Sequence, residues 1–246
     1  HFYLNHYIYN MKKPLLLLII PLLSFGQDYF YPPEKMNLSL QERFGSVFNN
    51  PEFYPIGWSD DGLFAYKMIY CDGGCGCCSN SIIIQSAKSD KIIDHFMLPS
   101  DEDEFEGTEE DKWRESTRNI NAFLNKYNIE NTGLGKLYTS KRVNDFNIIL
   151  RTNSIQYNTD ENCYHLENDV VTTYNIQVGN KDLGYKTITK KEAECIYESD
   201  INYVGYFKSP FENRIIVVIA EEHQGFEAET EYDLYFYGCG LKPQSF

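Results

Sequence analysis

The sequence predicts a mainly β to α+β fold, an antiparallel sheet built from β-meanders with one long amphipathic helix. Three observations carry that expectation. The chain holds 20 Tyr and 16 Phe along with many Ile, Val and Thr, residues that suit a pleated, half-buried surface. Short β-branched or aromatic runs alternate with clusters of Gly, Asn, Asp and Ser, the pattern of strands joined by tight turns. One long segment, at about residues 109–128, repeats its apolar residues at helical spacing.

Residues 11–26, MKKPLLLLIIPLLSFG, have the plan of a secretory signal peptide. Lys12 and Lys13 form a basic start, Leu15 to Leu23 a short apolar stretch, and Ser24 and Gly26 the small residues before a cleavage point between Gly26 and Gln27. The apolar stretch falls well short of the roughly 20 residues that cross a bilayer as a helix, so no transmembrane anchor is expected after processing. No Cys follows the stretch, which argues against a lipidated N-terminus. Residues 1–10 lack an initiator Met, and Met11 with its two Lys makes a better start, so they are expected to be a start-site artefact. The mature chain is therefore expected in the periplasm of a Gram-negative bacterium or outside the cell.

Residues 27–54, rich in Tyr, Pro and Asn, predict an irregular lead-in with one short helix near Leu40, and residues 55–246 a single β-rich domain. In that domain PIGWSDDGLFAYKMIY gives a turn at Ser59–Gly62 and then a strand. Ser81–Ser86 and Lys91–Leu98 are the next strands, with a tight turn at Ala87–Asp90. The helix follows from about Glu109 to Asn128, with Trp113, Ile120, Leu124 and Tyr127 on one face. Beyond it GKLYTS, DFNIILRT, VVTTYNIQV and DLGYKTIT read as strands. Thr189 and Glu192 have the spacing to cap one further helical turn. INYVGYFKSPFENRIIVVIA predicts a turn at Ser209–Asn213 and a strongly apolar strand, and YDLYFYGCGL closes the domain. Two triplets, Ile56-Gly57-Trp58 and Val204-Gly205-Tyr206, precede similar turns and strands, a faint internal echo.

The pattern from Trp58 to Ala65, WS-x-DG-x-x-aliphatic, resembles a blade edge of TolB-type propeller proteins, although four or more blades need more chain than this. PIGWSDDGLFAY and VGYFKSPFENRIIVVIA together, about 30 residues, resemble a family of predicted secreted bacterial proteins of unknown function. That resemblance supports a bacterial source and brings no catalytic residues with it.

Charge narrows the partners. A net −14, made more negative by loss of the two leader lysines, repels nucleic-acid phosphates and anionic membrane surfaces and favours cations or basic partners. No nucleic-acid partner is expected. The run 101–111, DEDEFEGTEED, suggests calcium, but it lacks the D-x-D-x-D-G order of an EF-hand loop. Thr108 with Asp111 reads better as a capping box, with acids stabilised at a helix N-terminus.

Seven cysteines, at 71, 75, 77, 78, 163, 195 and 239, lie in the exported part, where disulfides are the default, and an odd number leaves one over. Within CDGGCGCC, Cys71, Cys75, Cys77 and Cys78 sit at a hairpin tip among glycines that let the backbone bend. Disulfides from that loop to Cys163, Cys195 or Cys239 are the first expectation. The rival is a zinc or copper(I) site on the four clustered thiols.

Three His follow the leader. His95 reads as a strand side chain, whereas His165 with Glu167 and His223 with Glu221 and Glu222 offer imidazole and carboxylate pairs for a metal or a general base. Trp58, Tyr66, Tyr70, Phe226, Tyr232, Tyr235 and Phe236 are expected to fill the sheet core, with an aromatic sugar- or peptide-binding surface as the alternative. No local signature of a hydrolase, metalloprotease or nucleotide enzyme is present. The function expected is an exported, non-catalytic binding or structural protein with a protein, peptide or carbohydrate ligand. Metal handling at Cys71–Cys78 and a hydrolase with His165 or His223 as base are the alternatives. The loops Cys71–Asn80 and Glu221–Thr230 are the expected contact points.

Overall fold

Among the described residues, eleven strands and one helix follow from the alternating patterns. A computed structural model describes residues 32–38, 51–71, 77–99, 107–131, 135–156, 170–192, 200–224 and 230–242, all within the unit Pro32–Phe246. The leader, most of the lead-in, residues 101–106 and the loops holding Cys75, Cys163, His165 and Cys195 lie outside the described residues.

The first antiparallel sheet runs β1 (Glu52–Trp58), β2 (Leu63–Cys71), β3 (Cys78–Ser86) and β4 (Ile92–Met97) as a meander in chain order. Helix α1 (Glu109–Lys126) follows. The second sheet is β5 (Arg142–Val143), β6 (Phe146–Gln156), β7 (Val170–Asn180) and β8 (Gly184–Glu192). The third is β9 (Asp200–Lys208), β10 (Arg214–Gln224) and β11 (Thr230–Gly240), with β10 in the middle. The mainly antiparallel β prediction holds, including the single long helix.

The apolar run of β10 explains how the sheets stack. Ile216, Val218 and Ala220 pack with Phe53, Phe64, Tyr66 and Ile83 of the first sheet. Ile215, Val217 and Ile219 pack with Ile148, Tyr174, Ile176 and Val178 of the second. Successive side chains of a strand point to opposite faces, so a strand apolar at every position belongs between two layers. The third sheet is therefore the middle layer. Each fully buried Ile or Val contributes roughly 1.5–3 kcal/mol of transfer free energy.

Helix α1 covers the outer face of the first sheet. Its N-cap is Thr108, whose hydroxyl accepts the Asp111 N–H while the Asp111 side chain reaches back to the Thr108 N–H, the predicted capping box. Trp113, Ile120 and Leu124 are buried, and Phe123 packs against Phe96 of β4 with ring centroids 5.7 Å apart. The helix stops at Lys126, because Asn128 turns into the left-handed region with φ 49°.

The two triplets share more than sequence. Register shifts leave Ile56 and Val204 as extra residues in β1 and β9. The glycine after each is pressed by a passing carbonyl: a Cβ on Gly57 would lie 2.0 Å from the Glu130 oxygen, and one on Gly205 2.8 Å from that of Tyr138. Trp58 and Tyr206 then form antiparallel bridges with Glu130 and Tyr138, so the chain after α1 is stitched to an edge of both sheets. Pro55, which has no N–H to give, sits on the edge strand β1.

One end of the stack gathers the short turns. Ala87 donates to the Gly62 carbonyl at 3.0 Å, and Arg214 donates to the Ala87 carbonyl at 3.1 Å. Gln85 of β3 donates to the Phe236 carbonyl of β11 at 2.8 Å, which sets β3 over the last strand of the middle sheet and leaves β4 overhanging it. Strands leaving these turns end at Cys71, Gln156, Glu192 and Gln224, at the opposite end.

Two expectations need correction. Thr189–Glu192 does not cap a helix; it continues β8, paired with Thr173–Ile176 of β7, and ladder pairing overrides a capping-box spacing. GKLYTS makes the single bridge at Tyr138 and no strand of its own.

The glycines give a test. A Cβ on Gly238 would meet the Ala87 carbonyl oxygen at 2.0 Å, whereas Gly184 has φ 81° and open space around it. Gly238→Ala should cost about 3 kcal/mol through forced backbone displacement and Gly184→Ala about 1 kcal/mol from φ alone, measured by urea unfolding.

Candidate functional site

At the end opposite the short turns, Cys71 of β2 and Cys78 of β3 stand directly across from each other and form a disulfide. Cys77 is disulfide-bonded too, to a partner outside the described residues, since Cys71 and Cys78 hold each other and Cys239 is free. All three of these bonded residues are half-buried. The bridge closes the hairpin on itself, unlike the expected link from Cys71 or Cys78 to a distant Cys.

Cys239 is a correction to the expected disulfide set. It lies buried in the layer between the second and third sheets as a free thiol, and burial pushes its pKa up to about 11. Among the described residues it is the free thiol.

The disulfide also bears on the metal alternative. Two of the four clustered sulfurs are joined to each other and cannot serve as thiolates in this state. Among the described residues no three Cys, His, Asp or Glu side chains gather around a common point.

Beside the disulfide, on the same face of the hairpin, lies a polar cluster. Lys67 is 3 % exposed and Lys112 4 %, and both hold the carboxylate of Glu109, Lys112 at 2.9 Å. Asn80 donates to the same carboxylate at 2.9 Å, while its own side-chain oxygen is buried without a partner. The ammonium of Lys67 also rests 4.4 Å from the centre of the Tyr54 ring. Tyr54 donates to Glu52 at 2.5 Å, and Glu52 is held in turn by Lys35. Burial favours the neutral acid at Glu109, but hydrogen bonds from Lys67 and Lys112 outweigh it and hold the carboxyl below its ordinary 4.5. The helix N-terminus adds to that effect. The cluster pins α1 to the sheet through charge where apolar contact runs out.

Sequence reasoning did not single out Lys67, Asn80 or Lys112. The available signal was Lys67 itself, one cation inside the apolar run FAYKMIY.

The other candidates scatter. His95 is exposed in β4, its N–H held by the Asp94 side chain, which also takes Tyr127 and Lys126 and is kept at about 2 by those bonds. His223 stands in β10 opposite Glu231, and Glu221 is buried. His165, Glu167, Phe226 and the acidic residues 101–106 lie outside the described residues. Trp58, Tyr66, Tyr232 and Phe236 are buried core, with Tyr70 and Tyr235 half-buried. Trp58 packs 4.7 Å from Phe64 and Tyr66 4.7 Å from Phe236, which ties these rings to one another in the core. Glu109, Glu110 and Asp111 form the first turn of α1, as the capping reading requires.

No protein-family model matches the chain, and no curated protein or solved structure matches it either.

Removing the carboxylate that two buried ammonium groups share should be costly. Glu109→Gln is expected to lose about 2–3 kcal/mol, less than for a fully buried pair because 35 % of the Glu109 side chain meets solvent. A depressed folded pKa stabilises above the unfolded value and is lost as pH falls below about 4.5. The variant should therefore show a flatter loss of stability between about pH 5 and pH 3 in urea unfolding.

Proposed function

We propose that the chain is an exported, non-catalytic binding or structural protein that works in the periplasm or outside the cell, taking a protein, peptide or carbohydrate ligand. The observation that carries this reading is the oxidised hairpin end, where Cys71, Cys77 and Cys78 are all disulfide-bonded. Reducing compartments keep such half-buried cysteines as thiols, whereas exported proteins retain the bonds. The signal-peptide pattern at residues 11–26 agrees.

The ligand-binding end is the disulfide end. The expected contact stretches Cys71–Asn80 and Glu221–Thr230 both fall there, shortened because Cys78–Asn80 belong to β3 and Glu221–Gln224 to β10, and β2 and β10 each begin at the short turns and run the same way. Interlocked sheets hold the loop bases, and connecting loops on a rigid support are where recognition commonly resides.

Fractionation of the native host with mass analysis of the mature N-terminus tests export: a start at Gln27 or Asp28 in the periplasmic or extracellular fraction is expected. Full-length reduced protein in the cytosol would overturn it. Elemental analysis of the same material addresses the rival reading, because stoichiometric zinc or copper would favour metal handling. In non-reducing peptide maps Cys71 and Cys78 should travel as one linked pair, and Cys239 should be alkylated only after unfolding.

A further inference from the structure

Net charge conceals an asymmetry along the stack. The segments that join strands at the disulfide end, residues 72–76, 157–169, 193–199 and 225–229, contain no Lys or Arg and carry Asp or Glu in every one. The short-turn end is built differently. Its lysines Lys88, Lys181, Lys186, Lys208 and Lys242 are exposed, and none forms an ion pair with a carboxylate among the described residues. Elsewhere Lys35, Lys67, Lys112 and Lys126 each hold one, while Lys136, Lys141 and Lys190 are exposed as well. Several acids at the short-turn end are engaged inward: Glu212 by Arg214, Asp61 by Ser59, and Asp90 by the Gly238 N–H at 2.5 Å. Asp60, Asp61, Asp145 and Asp182 are exposed there, still fewer than the lysines.

Apolar side chains collect at the same end. Of seven large hydrophobic residues exposed among the described ones, five belong to it: Ile92 at 60 %, Ile93 at 46 %, Leu183 at 39 %, Tyr185 at 43 % and Phe211 at 39 %. Their exposure has structural causes. Leu183 and Tyr185 flank Gly184 at the β7–β8 tip, and Phe211 crowns the β9–β10 turn. Ile92 and Ile93 open β4, the strand that overhangs the middle sheet, and a register shift makes Ile93 an extra residue. Lys186 of the β7–β8 hairpin is near enough to Asp90 and Cys239 to act on both, which places that tip beside the β3–β4 turn.

We propose that the short-turn end docks on the surface of an anionic phospholipid bilayer. Leu183, Tyr185 and Phe211 enter the boundary between headgroups and acyl chains, and the exposed lysines meet the lipid phosphates. Charge complementarity selects this occupant: exposed lysines surround apolar tips, and an anionic bilayer offers phosphate above and hydrocarbon below. The strand ends that lead into the acidic segments lie at the far end, so repulsion favours this orientation. Docking is independent of which ligand the disulfide end takes.

Co-sedimentation of the full chain with vesicles of phosphatidylcholine alone, or with phosphatidylglycerol added, tests it. Binding to the anionic vesicles that weakens with salt is expected, with little to the neutral ones. Lys181→Gln combined with Lys186→Gln should lower partitioning by about twenty-fivefold, at about fivefold per lysine. Leu183→Ser should lower it by about tenfold at equal charge. Met97→Ser, at the far end of β4, removes an exposed apolar residue from a different place and should leave binding unchanged. Circular dichroism of each variant confirms folding. Absence of binding to anionic vesicles would overturn the proposal. So would equal binding to soluble dextran sulfate with no effect of Leu183→Ser, which would mark a polyanion site, or loss of a lipid-free dimer in the same variants, which would mark self-association.

Discussion

The stack depends on the two-sided burial of β10. A strand that is apolar on both faces has no stable place at a surface, and its neighbours β9 and β11 are drawn into the middle layer with it. Once that layer exists, both of its faces must be covered. The first sheet supplies Phe53, Phe64 and Tyr66 to one face, and the second supplies Ile148, Tyr174 and Ile176 to the other. Helix α1 in turn covers the outer face of the first sheet. Layer count, chain order and the position of the helix are consequences of one strand that has no solvent side.

The two outer sheets close their remaining surfaces by different means. The second alternates, with Ile148, Tyr174, Ile176 and Val178 buried and Ile149, Asn175 and Gln177 between them half-buried. The first is buried on both faces and cannot be apolar throughout, because Lys67 and Asn80 fall on the helix side. Glu109 resolves the conflict by bringing a carboxylate from the first turn of α1, so one side chain serves the helix terminus and the buried cations together.

Much of this was legible in local sequence. The turn at Ser59–Gly62, the capping pair Thr108 and Asp111 and the strands on either side of Ser209–Asn213 depend on neighbouring residues, and they form where their patterns lie. The run IIVVIA announced deep burial, but it could not say that burial came from two different sheets, because facing partners lie far away in the chain. Thr189 and Glu192 misled for the same reason: their spacing suits a helix cap, while pairing with β7 decides the outcome. Lys67 gave a weak signal, a cation in an apolar run, whose partner 42 residues away no local pattern indicates. The cysteine count showed that one sulfur must be odd but could not name it, since only the packed interior distinguishes Cys239.

That interior sulfur imposes an order of events on maturation. Until β11 zips onto β10, Cys239 is as open to exchange as its six relatives, and a bridge formed to it then would hold β11 away from its neighbour. Where the chain oxidises, assembly of the middle sheet buries Cys239, so that folding itself withdraws this thiol from exchange.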